Sequence, residues 1–253
     1  MKANLPKSFS FHSALDLIRI GNNYDGGYLV SKSDIEKSDV LIGMGICDDW
    51  SFEEDFIKIK KVEVYAYDAS VSKKYFLREF LKSIIRIDKP YIAFNNLKVL
   101  LSYRNFFSQK NIHHIEKFVG LNSLNNLYCT FSEVISELNS DNIFLKIDIE
   151  GSEYRFLNEL IMNQNRMSGL VIEFHDCDLH LEEIKKFIKD FGLNLVHIHA
   201  NNYAPVRLDD GLPTVLEFTF SKFGEICTKT NLPHKLDMPN DKNSEEIALV
   251  VNN

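Results

Sequence analysis

The chain has 253 residues, 45% hydrophobic and 26% charged, a balance that excludes disordered, collagen-like and coiled-coil chains and leaves enough mass for a real core. Its 29 Lys and Arg against 36 Asp and Glu give a net charge of −7. An acidic chain without a dense basic run argues against a nucleic-acid groove, where phosphate contacts dominate affinity.

No apolar run is long enough to span a bilayer, and Met1 to Leu17 lacks the continuous apolar core of a signal peptide. The four cysteines, Cys47, Cys129, Cys177 and Cys227, are scattered with no pair at metal-finger spacing. A single domain in the reducing cytoplasm is the expectation.

Residues 1–35 precede the first strand and hold the turn-rich segment Gly21 to Gly27; they read as an N-terminal lid. Val40-Leu41-Ile42 then runs into Gly43, and Val62 to Tyr67 ends at Asp68. Further strand-like runs are Ile143–Ile147, Leu170–Phe174, Leu195–Ile198 and Val215–Phe220, rich in β-branched and aromatic residues. Their near-continuous apolarity fits strands covered on both faces. Helical patterns lie between them, at Phe52–Lys60, Ser152–Met162 and Leu181–Phe191. Strand followed by helix, repeated, predicts a doubly wound, mostly parallel α/β fold. The loop Asp209 to Pro213 allows the last strand to run reversed at an edge. Residues 70–112 are helical in pattern and longer than one crossover needs, so they read as an insertion or cap. The polar tail from Lys235 onward is expected to be loosely held.

The segment Val40 to Gly45 is a strand leading into Gly43-x-Gly45, where glycine lets the backbone approach a ligand. Asp68 closes the next strand, placed to accept from both hydroxyls of a ribose. A dinucleotide fingerprint would put a third glycine where Asp48 stands, followed here by Asp49. Two carboxylates there would repel a pyrophosphate, so a cationic cofactor without phosphate, such as S-adenosylmethionine, suits the loop better than NAD.

The stretch Lys146-Ile147-Asp148-Ile149-Glu150-Gly151-Ser152-Glu153 resembles the Lys-x-Asp-x-Glu-Gly-x-Glu signature of the FkbM-type methyltransferases. Other segments agree in order: Arg19 to Gly21 with Asp25 to Tyr28, Gly43 to Gly45 with Ser51 to Glu53, Val171 to His175, His197 to Asn202, and Pro213 to Phe220. The likeness covers roughly residues 19 to 222. It implies a seven-stranded Rossmann-like sheet of the class I methyltransferase type. It also implies S-adenosylmethionine as cofactor and an oxygen acceptor on a sugar, polysaccharide precursor or other small metabolite. The stretch Ser70 to Ile112 matches no motif and is expected to carry acceptor recognition.

Asp148, Glu173 to His175 and His197 to His199 fall at carboxyl ends of strands, where an open α/β sheet forms its ligand crevice. Gly43, Gly45, Asp68 and Asp148 are therefore assigned to the cofactor, with Asp25 and Gly27 of the lid. Tyr28, Glu150, Glu173, Asn201 and Asn202 are assigned to the acceptor. His175 or His199 is the candidate proton acceptor, oriented by Asp148; an acceptor oxygen already anionic would need no base. Glu153 reads as a first-turn acid, Lys146 as a partner for a nearby carboxylate, His197 as a satisfied histidine and Cys177 as an inert thiol. No metal is expected; the alternative is a divalent ion on Asp148, His175 and His199. The rival functions are an NAD-dependent oxidoreductase and a catalytically silent binding module.

Overall fold

The apolar runs form one seven-stranded sheet in a computed structural model that describes residues 1–85, 88–120, 125–227 and 232–251. Its strands are β1 (Val40–Met44), β2 (Glu63–Tyr67), β3 (Ile112–Ile115), β4 (Ile143–Ile147), β5 (Met167–Phe174), β6 (Asn194–Ala200) and β7 (Leu216–Ser221). They lie in the order β6-β7-β5-β4-β1-β2-β3. All run parallel except β7, which is antiparallel to both β5 and β6. The reversal expected of the last strand is present, but its edge position is not. Every residue from Leu216 to Ser221 is buried, a pattern that needs neighbours on both sides as well as cover on both faces.

Alternation along each strand divides the core in two. Val40, Ile42 and Met44 of β1 face one layer and Leu41 the other. The Leu41 side is covered by α1 (Lys32–Lys37), α2 (Ser51–Ile59), α3 (Lys73–Ile84) and α4 (Pro90–Phe106), through Ile35, Phe52, Phe56, Phe76 and Tyr103 among others. The opposite layer holds α5 (Phe131–Ser136), α6 (Leu157–Asn163) and α7 (Leu181–Asp190), which contribute Phe131, Leu160, Ile184 and Phe187. Local chemistry starts these helices where they start. Ser72 caps α3, Pro90 opens α4, and Thr130 with Glu133 forms a reciprocal capping box on α5.

The region 70–112 resolves into α3, α4 and the first residue of β3, with residues 86 and 87 lying outside those described. Strand β3 is an edge of four residues containing His113 and His114, whose polarity masked it in the sequence. His114 joins the insertion to the sheet. Its Nε2 donates to the Asp68 carbonyl at 2.9 Å, so its Nδ1 accepts from the Tyr103 hydroxyl at 2.6 Å.

Residues 1–35, expected as a lid, form part of the body of the fold. An antiparallel hairpin, Leu17–Gly21 with Gly27–Ser31, packs against the sheet, and the Thr219 hydroxyl donates to the Leu29 carbonyl at 2.6 Å. Lys2–Leu5 pairs in parallel with Ala248–Val251, so the two ends of the chain form one ribbon. The tail expected to be loose is instead fixed: Ile247 and Leu249 are buried. Its polar residues find partners on the rest of the fold. Asn240 donates to Glu217 at 2.8 Å and Asp25 at 3.2 Å, and Glu246 lies 3.1 Å from His199 Nε2.

His199 carries the pair that holds this tail. Both ring nitrogens face carboxylates, Glu217 at 3.1 Å and Glu246 at 3.1 Å, and a carboxylate only accepts, so the ring is an imidazolium. Burial alone would depress its pKa, but Glu217 and Glu246 push it well above the ordinary 6.5. Glu217 moves below 4.5, with His199 outweighing its burial. A raised histidine stabilises fully below about 6.5 and loses that contribution as pH climbs to its folded value; a lowered Glu loses its own below about 4.5. The stability advantage of the native chain over His199→Gln, read from urea unfolding, is therefore expected to be largest between those values and to shrink steadily from pH 6.5 upward. An advantage that stays flat to pH 9 would show that the ring is not charged.

Candidate functional site

Two cavities open at the carboxyl ends of the strands and meet at Asp148 and Glu150, which line both. The first, about 510 Å³, lies over β1, β2 and β4, between Gly45, Cys47, Asp68 and Ser70 on one side and Phe118, Val119, Ile149 and Arg155 on the other. The second, about 290 Å³, is lined by Asp25, Glu173, His175, Asn201 and Tyr203.

The glycines after β1 act by different means. Gly45 has φ +78, and a Cβ there would overlap the Asp148 carbonyl oxygen, so glycine lets the β1 and β4 ends close on each other. At Gly43 a Cβ would overlap the Glu53 carboxylate; that position makes room for a buried acid of α2 and does not line the cavity. Asp68 does line it. Its Oδ2 accepts from the backbone N–H of Ile46 at 3.1 Å and Cys47 at 2.9 Å, and its Oδ1 from Ser70 N at 2.7 Å and Ser70 Oγ at 2.6 Å. One carboxylate thus fixes the loops after β1 and β2, with every acceptor direction taken.

The Lys146–Glu153 motif acquires a physical reading residue by residue. Lys146, buried under the junction, donates to the Gly45 carbonyl at 2.6 Å and lies 3.7 Å from Asp148. Burial opposes its charge, but Asp148, Glu53 and Glu173 raise its pKa. The chain then turns through Glu150 at φ +53 and Gly151 at φ +89. That turn returns Glu153 beneath the site, where it is wholly buried. Glu153 accepts from Gly151 N at 3.0 Å and from His175 N at 2.8 Å, and stands 3.3 Å from His175 Nδ1.

Held in this way, the His175 ring directs Nε2 at carboxylates: Glu150 at 3.4 Å, Glu173 at 3.9 Å and Asp148 at 4.0 Å. Burial would lower its pKa, yet the Glu153 hydrogen bond and the charges of Glu173, Glu153 and Asp148 win and push it up to about 9. Tyr154 pins the same segment through a hydrogen bond to the His175 carbonyl. Burial, then Asp148 and Glu217, raise the Glu173 pKa well above 4.5, against the opposing charge of His175 and the Asn201 hydrogen bond. The Tyr28 hydroxyl shares its one proton between two carboxyl groups, Asp148 at 3.0 Å and Glu173 at 3.2 Å.

The structure brings Asp148, Glu150, Glu173, His175, Asn201 and Asp25 together around the second cavity. Tyr28 lies behind its wall, 3% exposed. Asp25 faces this cavity and not the first, and its carboxyl is raised by burial and by Asp148 despite the Asn240 hydrogen bond. Gly27 serves the Leu17–Ser31 hairpin, leaving space for the Arg19 guanidinium that donates to the Asn22 and Tyr24 carbonyls. Asn202 lines neither cavity and clamps the tail through Asp241 and Ser244. His199 is also outside both, in its buried pair, and His197 is buried 2.9 Å from Asp237. Burial pushes the Cys177 thiol up, which suits an inert side chain.

Asp148, His175 and His199 therefore do not assemble as a metal set. A different trio, Asp148, Glu150 and His175, offers ligand atoms within 4.8 Å of one another, where a protonated His175 pairs its Nε2 with the same two carboxylates. The residue that sequence reasoning undervalued is Glu153. It does stand in the first turn of a short 3-10 helix, but its carboxylate is directed at His175. The signal was its place in the same motif as Asp148 and Glu150.

No family model matches the chain, and no curated protein matches it. Among solved structures it is similar to a precorrin-6y C5,15-methyltransferase from Geobacter metallireducens (15% identity, 76% of this chain and 86% of that chain covered, TM-score 0.39). It is also similar to a putative RNA methyltransferase from Pyrococcus horikoshii (12%, 74% and 76%, 0.40) and a predicted O-methyltransferase from Agrobacterium tumefaciens (11%, 87% and 82%, 0.34). These likenesses are too distant to carry an argument about this chain. Its own strand order is that of a doubly wound, Rossmann-like α/β sheet with one reversed strand between β5 and β6.

The grip of Glu153 on His175 is open to direct test. In Glu153→Gln, the His175 pKa followed by proton NMR is expected to fall from about 9 by roughly one to two units, the loss of one close carboxylate. An unchanged value would assign the shift to Glu173 and Asp148 instead.

Proposed function

We propose that this protein is an S-adenosylmethionine-dependent methyltransferase that methylates oxygen on a sugar, a polysaccharide precursor or another small hydroxylated or anionic-oxygen metabolite. The observation that carries the reading is the junction: a cavity over the Gly45 and Asp68 loops joined through Asp148 and Glu150 to a second cavity that holds a fixed histidine.

The first cavity fits the cofactor on its own chemistry. Met44, Val119 and Ile149 offer apolar walls for a purine, and Asp68 stands at the end of β2 for a ribose once Ser70 Oγ turns away. Asp148 and Glu150 face the junction with negative charge, which favours a sulfonium. A pyrophosphate fits poorly, because Asp49 already accepts from Ser51 N at 2.9 Å at the start of α2 and Glu53 and Glu54 follow. When bound, S-adenosylmethionine supplies a methyl group on positively charged sulfur, transferred by in-line displacement.

The chain's own residues then position the acceptor. Asn201, whose Nδ2 donates to Glu173 at 2.9 Å, and Asp25 bound the second cavity, and the imidazolium of His175 offers Nε2–H to the acceptor oxygen. A charged donor holds an anionic oxygen directly. With a neutral hydroxyl, His175 must first release its proton to act as a base. The two acceptor classes thus differ in pH dependence. For a hydroxyl, kcat/KM is expected to rise about tenfold per pH unit and level off near 9; for an oxyanion it stays flat and falls above about 9.

Calorimetric titration with S-adenosylhomocysteine and, separately, NAD tests the cofactor. The expectation is binding of S-adenosylhomocysteine, weakened at least about tenfold by Asp68→Ala, and no heat from NAD. Binding of NAD alone would replace this reading with the oxidoreductase.

A further inference from the structure

The helical hairpin α3–α4 is not accounted for by either cavity. Beyond Ser70, at its root, no described residue of the stretch 70–112 lines the first cavity or the second. Its inner face is aromatic and well packed: Trp50 meets Phe76 at 6.0 Å and Tyr103 at 5.7 Å between ring centroids. The outer face is unusual. Leu77, Leu81, Ile84 and Ile85 on and after α3, and Tyr91, Phe94 and Leu101 on α4, are each 45–80% exposed.

On α3 these residues fall at i, i+4, i+7 and i+8, one continuous stripe, beside a second stripe of Lys74, Arg78 and Lys82. The two stripes share a shallow groove with Ile85 at its end. Ile84, Ile85, Tyr91 and Phe94 gather toward the end of the hairpin farthest from the Asp68 loop, and Lys98 lies over the Phe94 ring at 4.4 Å. Glu79 pairs with Lys82 at 2.7 Å and Arg78 at 3.3 Å. In sequence, residues 73–106 hold eight basic and two acidic side chains, a charge of +6 within a chain of −7, which leaves −13 for the rest.

An apolar stripe flanked by lysine and arginine is what places a helix in the interface of a bilayer, with aliphatic stems and rings among the acyl chains and ammonium groups at the phosphates. We propose that the α3–α4 hairpin docks this protein on an anionic lipid surface. The charge separation selects that partner: the hairpin is drawn to phosphatidylglycerol-like headgroups while the acidic body is repelled, which orients the molecule hairpin-first. A zwitterionic surface would use the stripe alone. The inference does not depend on methyl transfer.

Co-sedimentation of the full chain with vesicles of phosphatidylglycerol and phosphatidylcholine, against vesicles of phosphatidylcholine alone, tests it. The expected result is binding to the mixed vesicles, weak binding to the neutral ones, and loss on raising the salt. Neutralising Lys74, Arg78 and Lys82 together by Lys74→Gln, Arg78→Gln and Lys82→Gln is expected to weaken binding about a hundredfold, about fivefold per side chain. Ile85→Glu, at a site 80% exposed and so without cost to the core, is expected to reduce it as well. Absence of binding to the mixed vesicles, or equal binding to both kinds, would overturn the proposal. So would a dimer in sedimentation velocity that Ile85→Glu splits, because the stripe would then be covered by a second copy of this chain.

Discussion

The site depends on a carboxylate removed from water and given to one histidine. Glu153 has no exposure and accepts from two backbone N–H groups while facing the His175 ring. An isolated buried carboxylate is costly, and this one is satisfied only because the turn at Glu150 and Gly151 carries it back under β5. The cost is met by order: backbone and ring of His175 are held by the same group, so Nε2 has one direction. With Tyr154 on the His175 carbonyl as well, the segment after β5 is fixed from both sides.

The second constraint is the close approach of β1 and β4. Their register pairs Gly43 with Lys146 and Met44 with Ile147, so the two strands end together and their loops compete for the same space. Gly45 removes the side chain that would block it, and Lys146 links the two ends by donating across to the Gly45 carbonyl. Asp68 does the same work between β1 and β2 with its four accepted hydrogen bonds. The three strand ends therefore form a rigid floor before any ligand arrives. Such preorganisation favours positioning chemistry, where little more than alignment is asked of the protein.

Where the chain is apolar and periodic, sequence and structure agree. The runs at β1, β4, β5 and β7 are buried on both faces, so their identity is written in consecutive residues. Where stability comes from distant polar partners, it is not. β3 carries His113 and His114, and His114 is satisfied by Tyr103 and the Asp68 backbone, partners 11 and 46 residues away. The tail looked solvated because Asn240 and Glu246 are polar, yet each ends on a buried charge of the sheet. His199 and His175 are equivalent in sequence, both near strand ends, and only the surroundings separate them. One is enclosed between two carboxylates, while the other opens on a cavity. Position along a strand does not report which of these a side chain meets.

The hairpin adds a relation between surface and site that follows from the same contacts. Ser70 closes the acceptor directions of Asp68, and two residues later Ser72 caps α3, so the strand end, the cavity wall and the hairpin root are consecutive in the chain. From the other side, Tyr103 of α4 reaches the Asp68 backbone through His114. A force that moved the hairpin as a body would have to break the aromatic packing on Trp50 and both of these hydrogen bonds. The hairpin is thus a rigid extension of the wall of the first cavity. A surface that holds the hairpin sets the orientation of the crevice as well, because the root that anchors one is the loop that lines the other.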